Sequence, residues 1–166
     1  MPGLILHEPQ KKFVLSSGKV DDTYIDVKAA YGEPEITRQI AWIFGNEMDE
    51  DVNCVVASGH GGLPIAIVLA DWENIRLGMI RTEPKRHGKG GMVDSHIPNK
   101  KDVVLIVDDV LTTGGSVKKI RKEVTKRGAR IAGTYVVVKR GNPRINFDVS
   151  YILTADDLES APSQTF

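Results

Sequence analysis

Residues 103–116 read VVLIVDDVLTTGGS, and this stretch decides the fold. Val103, Val104, Leu105, Ile106 and Val107 are apolar without interruption, the pattern of a strand buried on both faces of a parallel sheet. Two carboxylates, Asp108 and Asp109, follow at once. Ionised acids are expensive to bury, so they must emerge at the sheet edge or meet partners there. Thr112, Thr113, Gly114, Gly115 and Ser116 then lead into a helix. Glycines permit the backbone conformations in which successive N–H groups converge. The hydroxyls add donors, and the helix start adds free N–H groups and the positive end of its dipole.

The segment therefore sets acids suited to a sugar diol one loop away from amides suited to a phosphate. A ribose 5-phosphate has the same layout. An ordinary strand, loop and helix with Ser116 as N-cap would explain TGGS, but it leaves the paired acids without a reason. No G-x-x-x-x-G-K-[ST] phosphate loop occurs, and no G-x-G-x-x-G fingerprint stands at this place.

Outward from this strand, the pattern alternates strand and helix. Strands are expected at 23–27, 53–57, 76–81, 131–138 and 149–153. Helices are expected at three places. One opens at Glu33-Pro34-Glu35 and carries Ile36, Ile40, Ile43 and Phe44 at helical spacing, with Pro and acids suited to a first turn. A second spans 63–72 and is apolar on most sides. The third spans 116–127, with Val117, Ile120 and Val124 on one face. Residues 58–62 and 82–99 read as loops. The fold class that follows is α/β: a central parallel sheet flanked by helices, its strand-to-helix loops gathered at one edge where ligands bind.

The chain has 166 residues, the size of one domain, and 41% of them are hydrophobic, enough for a core. Lysine plus arginine and aspartate plus glutamate number 22 each. That balance gives no hint of a nucleic-acid or membrane partner. The basic run Lys118, Lys119, Arg121, Lys122, Lys126 and Arg127 interleaves with an apolar helix face and reads as a solvated surface. The single cysteine, Cys54, reads as a packed core residue. The start of the chain lacks a signal-peptide pattern, and no apolar run approaches the roughly 20 residues that span a bilayer. A cytoplasmic protein is expected.

VVLIVDDVLTTGGS resembles the PRPP-binding motif of type I phosphoribosyltransferases. Two further segments are similar to orotate phosphoribosyltransferases. The first is Phe13-Val14-Leu15-Ser16-Ser17-Gly18 with Thr23-Tyr24-Ile25-Asp26-Val27-Lys28. The second is Arg81-Thr82-Glu83-Pro84-Lys85-Arg86-His87-Gly88-Lys89-Gly90-Gly91, a basic, glycine-containing loop. Cations closing over a leaving pyrophosphate would stabilise its charge, and glycines would let such a loop reopen.

The resemblance implies the type I phosphoribosyltransferase fold with a small, reduced N-terminal hood. It implies one domain over 1–166, hood-like at 1–30 and core at 31–166. Asp108 and Asp109 would hold the ribose hydroxyls. Val110, Leu111, Thr112, Thr113, Gly114, Gly115 and Ser116 would surround the 5-phosphate. Arg81, Lys85 and His87 would bind pyrophosphate, together with His60 and Gly61. Tyr24, Ile25, Thr112 and Arg140 would contact the base. Mg2+ would be the cofactor, held mainly by PRPP. The partners would be PRPP, a nucleobase with orotate favoured, and a second copy in a homodimer sharing the 81–91 loop. The chain departs from the family where Ser16 and Thr82 replace basic residues and Asp21 replaces a serine. Two alternatives therefore stand beside orotate transfer: another base, or a PRPP- or nucleotide-sensing regulator on the same fold.

Overall fold

The computed structural model describes residues 5–7, 13–14, 20–21, 23–83 and 91–160. Four short strands come first: β1 (Ile5–His7), β2 (Phe13–Val14), β3 (Val20–Asp21) and β4 (Thr23–Ile25). β1 pairs antiparallel with β4, and β2 with β3. The expected strand 23–27 stops at Ile25, because α1 (Val27–Ala30) begins after Asp26 and turns Val27 and Ala30 into the core.

The rest of the chain runs α2 (Pro34–Glu47), β5 (Cys54–Ser58), α3 (Gly59–Trp72), β6 (Arg76–Ile80), β7 (Val93–Ser95), β8 (Val103–Leu111), α4 (Gly115–Thr125), β9 (Arg130–Lys139), β10 (Ser150–Thr154) and α5 (Ala155–Glu159). One sheet contains six strands in the order β10-β9-β8-β5-β6-β7. Its first five strands are parallel; β7 pairs antiparallel with β6 at the edge.

Along β8, alternate side chains enter two different cores. Leu105 and Val107 pack with Ile40 and Phe44 of α2 and with Ile65 and Leu69 of α3. Val104 and Ile106 pack with Val117, Ile120 and Val124 of α4. Helices thus cover both faces of the parallel sheet, as continuous apolar strands demand. Cys54 is fully buried on the α4 side, and burial pushes its thiol up to about 12, so it is unreactive packing.

Four details differ from the sequence expectation. The segment 58–62 is not a loop: α3 starts at Gly59, whose φ of 66° turns the strand directly into the helix. The segment 82–99 contains β7, a strand too short to show a period. β8 does not stop at Val107; it carries both acids and ends at Leu111, since β9 continues beside it, with Asp108 opposite Val136 and Leu111 opposite Lys139. Finally, α5 was unforeseen. Thr154 accepts a bond from the Asp157 N–H at 3.1 Å and the Asp157 carboxylate accepts one from the Thr154 N–H at 2.7 Å, a closed capping box.

Candidate active site

Strand order reverses between β5 and β8: the chain leaves β5 toward β6 on one side and β8 toward β9 on the other. The crevice at the carboxyl ends of those two strands is where a parallel α/β sheet binds ligands. Asp108 and Asp109 lie on one wall, and the first turn of α3 lies on the other.

The two acids divide between the faces of the sheet. Asp108 continues the side of Val104 and Ile106 and lines a cavity of about 230 Å³ with Val110, Leu111, Thr112, Thr113, Gly114, Gly115, Ser116 and Val117. Gly114 caps α4 with φ 77°, and its missing side chain makes room for Ile145, whose Cγ2 would stand 2.6 Å from an added Cβ. This cavity faces the free N–H groups at the start of α4, a site suited to a phosphate. The Leu111 side chain is buried in the core. Thr112 is half-buried; Thr113, Gly115 and Ser116 are exposed.

Asp109 faces the other way. Its carboxylate lies against Gly61, where an added Cβ would come within 2.3 Å of it. The adjacent Gly62 is as constrained, with the Val107 carbonyl 2.6 Å from its would-be Cβ. Glycine at both positions lets the first turn of α3 close onto the end of β8. The Lys28 ammonium lies 3.8 Å from Asp109 and 3.4 Å from Asp26.

Asp108 is only 5% exposed and accepts a hydrogen bond from the N–H of Asp109 at 3.1 Å. Burial first, then the charge of Asp109, pushes its carboxyl up to about 7. The Asp109 carboxylate accepts from the Val110 N–H at 2.8 Å. Such an acid, buried beside a second carboxylate at the mouth of this cavity, is suited to ligand hydroxyls arriving from outside the chain.

The remaining expected residues are placed as follows. His60 is exposed in the first turn of α3. Arg81 directly follows β6 and pairs with Asp94 of β7 at 2.5 Å. Arg140 follows β9 and donates its N–H to the Leu111 carbonyl at 2.9 Å, which places it beside Thr112. Tyr24 stands in β4 opposite Leu6. Ile25 is buried in the core cluster with Val27 and Ile65. Lys85 and His87 lie outside the described residues, as do Ser16 and most of the basic loop. Thr82, where the family pattern has a basic side chain, accepts a bond from the Lys119 ammonium through its carbonyl.

Sequence reasoning missed Tyr31. It caps α1, packs its ring on the main core and donates its hydroxyl to the Gly61 carbonyl at 2.7 Å. The pairing spans thirty positions, and no local pattern announces it. Basic residues on and just after α4 are engaged within the chain. Lys118 donates to the Arg144 carbonyl at 2.8 Å, Arg121 lies 4.2 Å over the Phe147 ring, and Arg127 pairs with Glu123 at 2.6 Å.

The phosphoribosyl transferase domain model matches residues 29–157. The chain belongs to the phosphoribosyltransferases. Within that family it is similar to orotate phosphoribosyltransferases. The protein of that name from Methanocaldococcus jannaschii is 33% identical over 156 residues, covering 90% of this chain and 88% of the relative. The one from Pyrococcus horikoshii is 37% identical over 131 residues, covering 77% and 70%. The crystal structure of orotate phosphoribosyltransferase from Aeropyrum pernix superposes with a TM-score of 0.70 at 28% identity, over 93% of this chain and 89% of that one. The type I phosphoribosyltransferase fold is thus the fold of this chain. Among its described residues, no helix is long and apolar enough to cross a membrane.

Proposed function

We propose that this phosphoribosyltransferase transfers the 5-phosphoribosyl group of PRPP to orotate, giving orotidine 5'-monophosphate and pyrophosphate in pyrimidine nucleotide biosynthesis. One observation carries the reading of the sugar-phosphate half. At the switch point, buried Asp108 lines the cavity at the start of α4 while Asp109 meets the first turn of α3. The choice of orotate rests on the named relatives at 33% and 37% identity and on the segments 13–28 and 81–91.

In this reading the N–H groups and hydroxyls of residues 112–116 hold the 5-phosphate. Asp108 and Asp109 accept hydrogen bonds from the ribose hydroxyls. The base nitrogen attacks C1 while the C1–O bond breaks and its electron pair leaves with pyrophosphate, through an oxocarbenium-like transition state. Carboxylates beside the ribose favour that positive charge; cations favour the departing negative charge. Arg81, Lys85 and His87 supply cations, Arg81 by exchanging Asp94 for the anion. His60 and Gly61 supply N–H groups from the first turn of α3. Tyr24, Ile25, Thr112 and Arg140 surround the base.

Mg2+ fits this donor set. The described residues contain no group of three His, Cys, Asp or Glu able to hold an ion unaided. Asp108 and Asp109 would hold it through the ribose hydroxyls, as suits an ion that keeps substrate oxygens and water. When bound, it neutralises pyrophosphate oxygens. The working unit is a cytoplasmic homodimer of single-domain chains, each lending residues 81–91 to the other. Nucleic acid and membrane take no part.

The test is to incubate the protein with PRPP, Mg2+ and orotate, following loss of orotate and release of pyrophosphate. Turnover of uracil or a purine with none of orotate would replace the base and keep the class. The positions of Ser16 and Thr82 make that comparison informative. PRPP binding with no base consumed would point to a sensor.

A further inference from the structure

The first turn of α3 is weakly held from within. Its residues include Gly59, Gly61 and Gly62, which bring no side chain to fix it. Pro64 lies inside the helix and has no N–H to give the carbonyl four residues back, that of His60. Yet this turn must present its N–H groups to an anion at the crevice, beside Asp109. Among the described hydrogen bonds, Tyr31 supports this turn from outside the helix. The Tyr31 hydroxyl donates to the Gly61 carbonyl at 2.7 Å, from a ring anchored in the core at the end of α1.

A trans peptide points its carbonyl and its N–H in opposite directions. Holding the Gly61 carbonyl toward Tyr31 therefore also sets the N–H of Gly62. Gly61 is fixed on a second side by the Asp109 carboxylate, which fills the space of a Cβ. Burial, with Asp109, Asp108 and Asp26 adding to it, pushes the Tyr31 hydroxyl well above the usual tyrosine range. It remains a neutral donor throughout the physiological range.

We infer that Tyr31 is a positioning residue that presets the first turn of α3 against Asp109 for the pyrophosphate end of PRPP. This rests on the phosphoribosyl-transfer reading and adds a residue that contacts no substrate. Preorganisation of this kind lowers the cost of ordering the loop on binding. Its loss therefore raises KM for PRPP and leaves the base untouched.

The experiment compares Tyr31→Phe with Tyr135→Phe. Tyr135 also donates its hydroxyl to a backbone carbonyl, that of Glu47 at 2.5 Å, far along the chain from the crevice. Each variant loses one hydroxyl-to-carbonyl bond, so a merely structural effect moves both alike. Tyr31→Phe is expected to raise KM for PRPP about fivefold, the worth of one neutral hydrogen bond, with kcat and the KM for orotate within about twofold. Tyr135→Phe is expected to leave all three unchanged. A second measurement needs no turnover: the melting-temperature rise on adding pyrophosphate with Mg2+, or ribose 5-phosphate alone. Tyr31→Phe should lose most of the rise from pyrophosphate and keep that from ribose 5-phosphate. If both rises survive, or both variants shift KM equally, the role of Tyr31 is overturned. If the unaltered protein responds to neither ligand, the phosphoribosyl-transfer reading fails instead.

Discussion

Two buried aspartates stand at opposite ends of β8 and have opposite surroundings. Asp102 precedes the strand at the amino edge of the sheet, with its side chain fully covered. It accepts from the Asn99 N–H and side-chain amide, both at 2.8 Å, and from Arg76 at 3.0 Å, and it meets His96 at 2.8 Å. Burial alone would raise its carboxyl, but the His96 and Asn99 hydrogen bonds and the charges of His96 and Arg76 hold it below the ordinary value. Asp108, nearly as buried, accepts from the Asp109 N–H, has the Asp109 carboxylate for a neighbour, and is pushed up to about 7. A buried acid ringed by donors and cations belongs to the scaffold; one buried against a second carboxylate at the switch-point crevice is suited to a ligand. The same residue type thus builds the fold at one edge and the site at the other.

The comparison can be broken at four places. Asp109→Ala should reduce kcat/KM at least about a hundredfold, or ~2.7 kcal/mol, by removing charge beside the ribose. Initial rates at varied PRPP would show it, and a loss under tenfold would remove Asp109 from the site. Asp102→Ala should instead cost about 2 kcal/mol of stability, a fall of about 4–8 °C in melting temperature, because His96, Asn99 and Arg76 lose their shared partner. Its KM for PRPP should stay within about twofold.

The third place is pH. A raised native value means that the folded chain keeps a proton the unfolded chain has lost. Stability without ligand should therefore decline as pH rises from about 4, the ordinary carboxyl value, through about 7. Asp108→Asn should flatten that decline and add on the order of 1 kcal/mol at pH 8. Asp102 has the opposite sign: its contribution is present above the ordinary carboxyl range and lost as pH falls below it. Denaturant melts across pH separate the two. Because ribose hydroxyls favour the ionised form of Asp108, ribose 5-phosphate should release protons on binding near pH 6.5, measurable by calorimetry in buffers of different ionisation enthalpy. The smallest effect is that of Gly114→Ala. A φ of 77° costs an L-residue about 1 kcal/mol, and the clash with Ile145 should weaken ribose 5-phosphate binding further.

Much of this was legible in the chain. Residues 103–107 announced a doubly buried strand, and the acids with TGGS announced a sugar and a phosphate, because these are local patterns. Asp102 was not legible: in PNKKD it looks like a surface loop, and its partners Arg76 and His96 arrive from β6 and from the end of β7. Tyr31 was hidden for the same reason. The glycines of 59–62 suggested a loop, although a left-handed Gly59 lets a helix begin directly after a strand. The acids were expected beyond the strand end; pairing with β9 draws them into β8, and this is what sends them to opposite faces.

β7 forms one edge of the sheet, opposite the edge at β10. An exposed strand edge is a template on which another chain can add itself. Here the edge is three residues long and runs against its neighbour; Asp94 carries charge onto it, and Ser95 leaves strand geometry at φ 64°. The strand that frames the basic loop thereby also works as a stopper, leaving unwanted copies little ladder to climb on that side.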